Sequence, residues 1–416
     1  MLQKSDKNFV EKKECRICGS ADLENFIDFG HQPLANAFLS EEQLSGDELA
    51  YPLRVAFCHK CNLVQLRDVV DKEVLYRDYI YFSSGIPKLS NHFRDYAIDV
   101  MERFLNKDDF VVELASNDGI LLRFFKENGY KILGIDPALN IAKVATESGI
   151  DTVAEFFSSD IAEEIVKKHG KAKVIMANNV VAHINDHHDL AKGVSILLDT
   201  KGVFVLEAPY LVDMFENLTY DTIYHEHLSY LAVRPLMNLF DKFGLEIFDV
   251  KIFPVQGQSL RVFVGKKGEH VIEKSVEEFV RREISLGLNK FESYLELAER
   301  IKNSKSKLVA LLQDLKKEGK KIAAYGAPAK GNTLLNYCGI GTNFLDYAMD
   351  DLPSKQGLYS PGMHIPVVSR KAADARTPDY FIVLPWNYFT MIKEREKKFM
   401  DDGGKFIIPV GNIDII

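Results

Sequence analysis

The stretch Phe110-Val-Val-Glu-Leu-Ala-Ser-Asn-Asp-Gly119 decides the fold of this chain. Its apolar first half predicts a buried strand, and the amphipathic residues 120–126 predict the start of a helix directly after it. Residues 113–119 therefore form a loop that leads from the end of a strand into a helix. In a doubly wound sheet such loops meet at the carboxyl edge of the strands, where ligands bind.

Strands and helices continue to alternate after this loop. Residues 131–136, 174–178 and 202–207 are short apolar runs that predict further strands, and helical segments separate them. This alternation is typical of an α/β fold, in which helices cover both faces of a parallel sheet. The sequence therefore predicts a Rossmann-like central domain.

The residues of the strand-to-helix loop indicate which cofactor it binds. The loop lacks the GxGxxG pattern that holds a pyrophosphate, and Glu113 and Asp118 would repel phosphate groups. Flexible Gly119 lets the backbone approach a ligand, and Asp136 ends the next strand where it can accept hydrogen bonds from ribose hydroxyls. These features favour the cationic S-adenosylmethionine; alternatively, the two acids only cap a turn. The expected cofactor contacts are Glu113, Ala115, Ser116, Asn117, Asp118, Gly119, Asp136, Pro137, Asn178 and Asn179.

Size and charge narrow the class of protein. The chain has 416 residues, enough for about two to three domains. Its net charge of −8 weighs against binding to nucleic acid or to an anionic membrane. No run is apolar enough to span a membrane, and the polar, lysine-rich start lacks the features of a secretory signal. We expect a cytoplasmic protein.

Four of the five cysteines form two CxxC pairs, Cys15/Cys18 and Cys58/Cys61. Two such loops complete a tetrahedral thiolate site suited to Zn²⁺, and four protein ligands leave no position for a catalytic water, so the metal would be structural. The alternatives are a redox pair or free thiols. The long spacing predicts a separate small domain, with a charged helical stretch around residues 41–48.

Polar residues cluster most densely at Tyr224-His225-Glu226-His227. Two histidines beside a glutamate and a tyrosine offer a general base with a pKa near neutrality and groups that tune it. The pattern is not HExxH, so zinc-protease chemistry is not indicated. A buried polar network between domains is the alternative. His183, after the fourth predicted strand, either points into the site or is structural.

The C-terminal third predicts a second α/β unit. The charged residues 273–317 have helical spacing, and residues 321–333 combine a strand, a glycine turn and a helix start. We divide the chain into a zinc-binding domain (1–75), a cofactor domain (76–270) and a helical bridge with a second Rossmann-like domain (271–416).

Taken together, the CxxC pairs, Tyr79-Ile-Tyr81-Phe-Ser-Ser-Gly, the cofactor loop, Tyr-His-Glu-His and Tyr325-Gly-Ala-Pro-Ala-Lys-Gly-Asn-Thr-Leu-Leu resemble the sugar C-methyltransferases of nucleotide-linked deoxysugar pathways. The resemblance covers nearly the whole chain. It implies methylation at C3, or in some members C5, of a dTDP- or GDP-linked 4-keto-6-deoxysugar. One departure concerns the substrate: members commonly have His-Gly-Gly-Ser-Leu-Arg where this chain has Gln256-Gly-Gln-Ser-Leu-Arg261.

The resemblance also implies residue roles. His227 is the base that removes the proton beside the ketone, while Tyr224, Glu226, His183 and Tyr81 support it and stabilise the enolate. The glycine turn differs from a Walker A motif but suits a diphosphate at a helix start. The expected substrate contacts are Tyr79, Arg261, Lys330, Asn332 and Thr333. The alternatives are an O- or N-methyltransferase with the same fold and a non-catalytic sugar-nucleotide-binding protein.

Overall fold

The computed structural model describes residues 2–4, 8–76, 87–255 and 257–416. The predicted roles of Tyr79 and Tyr81 therefore lie outside the described residues, as does Gln256. Among the described residues, no helix is both long enough and apolar enough to cross a membrane.

The N-terminal segment forms mainly antiparallel strands. Its elements are β1 (Leu2–Lys4), β2 (Phe9–Glu11), β3 (Leu23–Pro33), β4 (Glu48–Cys58), β5 (Val64–Leu66), β6 (Asp68–Val70), α1 (Lys72–Tyr76) and α2 (Pro87–Phe104). Strand β4 pairs with β3 on one side and with β1 and β5 on the other, while β2 pairs with β6. This sheet brings the two CxxC loops together at one end.

The charged helical stretch predicted around residues 41–48 is wrong except for one short turn. A 3-10 turn spans Glu42–Ser45, and strand β4 begins at Glu48. The residues of β4 are mostly buried between neighbouring strands. The turn ends at Gly46, which is extended, and the chain enters β4 two residues later.

The central segment forms the predicted Rossmann-like sheet. Its elements are β7 (Phe110–Leu114), α3 (Leu122–Glu127), β8 (Lys131–Ile135), α4 (Leu139–Glu147), β9 (Thr152–Val153), α5 (Ser159–His169), β10 (Ala172–Asn178), α6 (His187–Leu197), β11 (Leu198–Pro209), α7 (Leu211–Asn217), β12 (Ser229–Tyr230), α8 (Val233–Asp241), β13 (Leu245–Phe253) and β14 (Ser259–Lys266). The sheet order is β13-β14-β11-β10-β7-β8-β9, with β14 antiparallel to both neighbours. All residues of β7 are buried, which explains its continuous apolar pattern.

Strand β12 belongs to the central segment in sequence but to the N-terminal sheet in space. Ser229 and Tyr230 pair antiparallel with Gln65 and Val64 of β5. The chain immediately after His227 is therefore part of the N-terminal sheet.

The C-terminal segment forms the second α/β unit. Its elements are α9 (Lys274–Ser285), α10 (Phe291–Lys317), β15 (Ile322–Tyr325), α11 (Ala329–Cys338), β16 (Ala348–Met349), β17 (Val367–Val368), α12 (Arg370–Asp374), β18 (Tyr380–Val383), α13 (Phe389–Arg395), α14 (Lys397–Asp401), β19 (Lys405–Ile408) and β20 (Asp414–Ile415). The sheet order is β17-β16-β15-β18-β19-β20, and only β20 among these strands runs antiparallel to its neighbour. Helix α10 packs on the N-terminal sheet, where the ring of Tyr294 lies 4.8 Å from that of Phe57.

Candidate active site

A cleft of about 1410 Å³ lies where the three segments meet. The N-terminal segment contributes Asn36 and Tyr76, and the central segment contributes the strand-to-helix loop and His227. The C-terminal segment contributes the start of α11. All three parts of the chain therefore border one space large enough for two small molecules.

The strand-to-helix loop has an unusual backbone. Ala115 and Asn117 have φ of 52° and 50°, values that non-glycine residues adopt only at some cost. Asp136 stabilises this conformation, because its Oδ2 accepts a hydrogen bond from the Asn117 N–H at 2.9 Å. Its Oδ1 accepts one from the Ala138 N–H at 3.0 Å. Asp136 therefore connects the loops after β7 and β8.

Several buried acceptors face the cleft at this end. Among the described residues, Glu113 Oε2, Ser116 Oγ, Asn178 Oδ1 and Asn179 Oδ1 have no hydrogen-bond partner. Such atoms are rare in a protein interior unless a ligand or water satisfies them. S-adenosylmethionine fits them because its ammonium group and ribose hydroxyls are hydrogen-bond donors.

Glu113 shows the electrostatic character of this end of the cleft. Burial raises the pKa of its carboxyl well above the usual value, and the nearby Asp136 and Asp118 raise it further. The side chain already accepts a hydrogen bond from Asn178 Nδ2 at 3.2 Å. A positively charged ligand would relieve this repulsion, whereas a phosphate would increase it.

Most of the predicted cofactor residues line this part of the cleft. They are Glu113, Ala115, Ser116, Asn117, Asp136, Pro137, Asn178 and Asn179. Gly119 lies beside them. Its φ is 79°, and a Cβ added at this position would lie 2.7 Å from Ile150 Cγ1, so backbone conformation and packing require a glycine here. Asp118 acts on the cleft electrostatically, through its charge near Glu113 and Asp136.

His227 occupies the middle of the cleft in a defined orientation. Its Nδ1 lies 2.7 Å from the carbonyl oxygen of Thr222, and its Nε2 lies 2.9 Å from the hydroxyl of Tyr224. Because a carbonyl can only accept, Nδ1 carries the proton of the neutral ring and Nε2 accepts from Tyr224. Burial lowers the pKa of His227 to about 4, so the imidazole is neutral at physiological pH, and the near-neutral pKa expected from the sequence is wrong for this residue.

His183 lies next to His227, at a ring-centroid distance of 4.9 Å. Burial, with a smaller contribution from His227, holds the pKa of His183 well below its usual value. Its Nδ1 lies 3.2 Å from the hydroxyl of Tyr76, and that hydroxyl donates to the carbonyl of Glu226 at 3.2 Å. Tyr76 therefore connects the two polar stretches that the sequence placed far apart.

The N-terminal segment also holds the other members of the Tyr-His-Glu-His turn. Glu226 Oε1 accepts a hydrogen bond from Asn36 Nδ2 at 2.6 Å. His225 is buried against the N-terminal sheet, with Nε2 3.2 Å from the carbonyl of Pro52, and burial lowers its pKa to about 4. The two histidines of the motif therefore face different surroundings, one structural and one on the cleft.

Lysines line the C-terminal side of the cleft. Lys330, at the start of α11, donates to Asn387 Oδ1 at 2.7 Å and lies 3.8 Å from the centre of the Trp386 ring. Lys355 donates to the carbonyl of Ala327 at 2.8 Å. Burial lowers the pKa of Lys330 to about 8, against the opposing effect of Asp221 and Asp213. Asp350 also lines this side, so two lysines and one carboxylate border it.

Three predicted substrate contacts lie apart from the cleft wall. Arg261 is 1% exposed and pairs with Glu207 at 2.7 Å. Asn332 and Thr333 are buried in α11, where Asn332 Nδ2 donates to the carbonyl of Ala35 at 2.7 Å. In this structure Arg261 and Asn332 join parts of the protein to each other.

The four cysteines of the CxxC pairs converge. The Sγ atoms of Cys15, Cys18, Cys58 and Cys61 all lie within 4.8 Å of one another, with 3.4 Å between Cys15 and Cys61 and 3.5 Å between Cys18 and Cys58. A tetrahedral ZnS₄ site with bonds of about 2.3 Å requires sulfur separations of about 3.8 Å. Each loop is followed by a residue with positive φ, Gly19 and Asn62, so the loops have matching turns. The donor set fits Zn²⁺.

Comparison with known proteins agrees with this arrangement. Residues 254–411 match the family described as "C-methyltransferase C-terminal domain", residues 15–76 match "Putative zinc binding domain", and residues 90–250 match "Methyltransferase domain". C-methyltransferase NovU of Streptomyces niveus is 38% identical over 399 residues, which are 95% of this chain and 95% of that protein. The chain belongs to the C-methyltransferase family.

Solved structures align with part of this C-methyltransferase. The PH0226 protein of Pyrococcus horikoshii OT3 aligns with a TM-score of 0.36 at 12% identity, covering 45% of this chain and 95% of that chain. Magnesium protoporphyrin IX methyltransferase (ChlM) from Synechocystis PCC 6803 with bound SAH has a TM-score of 0.33 at 11% identity and covers 43% of this chain and 83% of that chain.

Family membership decides between the functional alternatives. The protein is an S-adenosylmethionine-dependent C-methyltransferase with a four-cysteine zinc site. Membership of this family therefore favours C-methylation over O- or N-methylation and over a non-catalytic binding role. The match to a zinc-binding domain likewise favours metal binding by the CxxC pairs over a redox role.

Sequence reasoning missed several residues of the cleft. Tyr76, Asn36 and Lys355 line it from segments without a recognised motif, and the Trp386 ring packs against the cleft-lining Lys330. Trp386 donates its indole N–H to Asp221 Oδ2 at 2.6 Å, which links the second α/β unit to the turn before Tyr224. The one available signal was that Trp386 is the single tryptophan of the chain.

Proposed function

We propose that the enzyme transfers a methyl group from S-adenosylmethionine to C3 of a nucleotide-linked 4-keto-6-deoxysugar. One observation carries the proposal. A neutral histidine, His227, lies in the same cleft as the unsatisfied acceptors near Glu113 and the lysines at the start of α11. The cleft thus offers a base, a site for a cation and a site for an anion.

The base chemistry follows from the position of His227. A hydrogen on the carbon beside a ketone is a weak acid, and its removal needs a base together with donors at the developing enolate oxygen. His227 Nε2 takes that proton, and the C–H electrons move into the enolate. Tyr224 O–H supplies a donor at the oxygen, and His183 packs against the ring of His227 as its support. Bound S-adenosylmethionine would supply a methyl group on a cationic sulfur. The enolate carbon would attack the methyl carbon as the carbon–sulfur bond breaks.

The lysines support a nucleotide diphosphate as the handle of the substrate. Lys330 and Lys355 line the cleft at the start of α11, and Lys12 and Lys72 line it on the N-terminal side. Helix starts and lysines together favour phosphate oxygens. Because Asn332 and Thr333 are buried, we assign the diphosphate contacts to Lys330 and Lys355. We keep Tyr79 as a proposed substrate contact and Tyr81 as a proposed catalytic support. The cytoplasm, where the zinc thiolates stay reduced, is the proposed compartment.

Deuterium exchange tests the reaction directly. The protein is incubated in D₂O with S-adenosylhomocysteine and dTDP- or GDP-linked 4-keto-6-deoxyhexoses, and the sugar is followed by NMR. We expect deuterium at C3 with one of the nucleotides, above a control without enzyme. The variant His227→Ala should lose this exchange, whereas His169→Ala, an exposed histidine outside the cleft, should retain it.

Three results would contradict the proposal. Exchange at C5 alone would move the methylated carbon, and no exchange with any 4-keto sugar in a protein that binds S-adenosylhomocysteine would remove the carbonyl-activated sugar as substrate. Methyl transfer to a sugar whose 4-keto group has been reduced would also count against it, because that carbon is no longer acidic.

A further inference from the structure

The first CxxC loop contains a buried arginine whose bonds leave the metal site. Arg16, between the zinc ligands Cys15 and Cys18, is 4% exposed. Its Nη1 donates to the carbonyl of Leu66 at 2.6 Å, and its Nε donates to Asn185 Oδ1 at 3.2 Å. One planar guanidinium thus joins the N-terminal sheet to the central domain.

Both partners of Arg16 adjoin a histidine of the cleft. Leu66 N–H donates to the carbonyl of Leu228 at 3.0 Å, which is the residue after His227. Asn185 lies two residues after His183 and itself lines the cleft. Each histidine is therefore one short segment of chain away from a group that Arg16 holds.

The backbone of the loop strengthens this connection. The Arg16 N–H donates to Gln65 Oε1 at 2.9 Å, and Gln65 pairs with Ser229 in the ladder between β5 and β12. The carbonyl of the next residue, Ile17, accepts from Lys242 Nζ at 2.6 Å. The loop that binds the metal is thereby fixed to the strand that follows the reactive turn and to the central domain.

We propose that Arg16 is a positioning residue that transmits the rigid geometry of the zinc loop to His227 and His183. The inference rests on the proposed function only in taking these histidines as the reacting groups. The acceptors that the guanidinium hydrogen-bonds are neutral, although Asp68 and Cys15 act on its charge through space, and burying a charge costs stability that an apolar side chain would not. A positioning role accounts for this cost in stability. The planar, fork-shaped guanidinium is suited to bridging two acceptors in different domains.

Arg16→Met removes the fork and keeps the apolar stem. Zinc content is measured by atomic absorption, S-adenosylhomocysteine binding by calorimetry, and backbone amide exchange by mass spectrometry over residues 223–230. We expect unchanged zinc, cofactor affinity within about threefold, and faster exchange in that segment. With the 4-keto sugar nucleotide that the wild type accepts, kcat should fall by a factor of about 10 to 100 at unchanged KM.

Lys60→Met is the matched control, because it removes a cation from the exposed middle of the second CxxC loop. This variant should equal the wild type in every measurement. Equal amide exchange over residues 223–230 in Arg16→Met and wild type, with kcat within about twofold, would overturn the proposal. Loss of zinc from a folded Arg16→Met protein would also overturn it, because the residue would then serve the metal site itself.

Asn185→Ala provides a second route if Arg16→Met does not fold. It removes one of the two acceptors, and Asn185 is an exposed residue, so we expect a smaller fall in kcat, about three- to tenfold, at unchanged KM. No change in kcat or amide exchange would contradict a role for the Arg16–Asn185 contact. Amide exchange needs no substrate, so a wild type that fails to act on 4-keto sugars would refute the proposed function without removing this test.

Discussion

The hydroxyl of Tyr224 lies 2.9 Å from Nε2 of His227, the nitrogen that the proposed reaction needs as its base. The phenol therefore donates a hydrogen bond to this nitrogen before the substrate binds. If the phenol turns to donate to the substrate carbonyl, the same movement releases Nε2 for the neighbouring carbon. Deprotonation and enolate stabilisation are then coupled through one hydrogen bond.

Removing this phenol tests the coupling. Tyr224→Phe keeps the ring but loses the donor, so kcat should fall by a factor of about 10 to 1000 with little change in KM, as for loss of an oxyanion donor. Steady-state kinetics and C3 deuterium exchange should fall in parallel. An unchanged exchange rate in Tyr224→Phe would mean that the phenol takes no part in forming the enolate.

The pKa of His227 predicts an unusual pH profile. Burial lowers it to about 4, and the ring is active only when neutral, so kcat/KM is lost as pH falls through that value. At saturating S-adenosylmethionine we expect kcat/KM for the sugar to change less than about twofold between pH 7.5 and 5, whereas a base with the ordinary pKa of about 6.5 would lose about 30-fold of its activity. Circular dichroism at each pH confirms that the protein remains folded.

Glu113 should make cofactor binding depend on pH. Burial raises the pKa of its carboxyl, and a bound cation favours the carboxylate, so affinity for S-adenosylmethionine should increase as pH rises through that pKa. Glu113→Gln should bind about 10- to 100-fold more weakly and lose this pH dependence. Asp108→Asn, an exposed residue before β7, is the control in calorimetry. Wild-type affinity in Glu113→Gln would exclude contact between this carboxylate and the ligand.

Lys330 should determine affinity for the nucleotide sugar. Lys330→Met should raise KM about 10- to 100-fold with a small effect on kcat and on cofactor binding. The pKa of Lys330 is about 8, so wild-type KM should rise as pH increases above that value and the ammonium loses its charge. Lys317→Met, on the exposed face of α10, is the control. A KM that does not respond to Lys330→Met would place the diphosphate elsewhere.

The zinc site can be removed selectively. Cys58→Ser should lower bound zinc from about one ion per chain and reduce the midpoint of urea denaturation, because metal binding contributes directly to folding. Cys338→Ser replaces the fifth cysteine, which lies 3.8 Å from the hydroxyl of Tyr220, and should retain the metal. Full zinc content in Cys58→Ser would show that this thiol is not a ligand.

Local pattern was sufficient to predict much of the fold. The strand ending at Leu114 is predictable because a strand buried on both faces has a continuous apolar run. The helix α10 is predictable because its apolar residues recur at helical spacing. Strand register leaves no such mark. Arg261 lies opposite Glu207 in the antiparallel ladder of β11 and β14, so its partner was fixed by a pairing that no motif encodes.

The candidate site was only partly predictable for a similar reason. His227 and Glu113 belong to compact motifs, and both line the cleft. Lys355 and Asn36 approach the cleft because domains pack together, and each lies in a stretch without a motif of its own. Motif reasoning detects residues that are close in sequence, whereas a cleft between three domains also selects residues that are close only in space.

The strand β12 also determines when the first sheet can be completed. Val64–Leu66 pairs with β4 on one side, and its other side is paired only by Ser229–Tyr230, more than a hundred and fifty residues later in the chain. During synthesis, one side of β5 therefore stays unpaired until most of the cofactor domain has left the ribosome. A fragment cut at the boundary near residue 75 would keep that edge open, and it should aggregate even when all four zinc ligands are present.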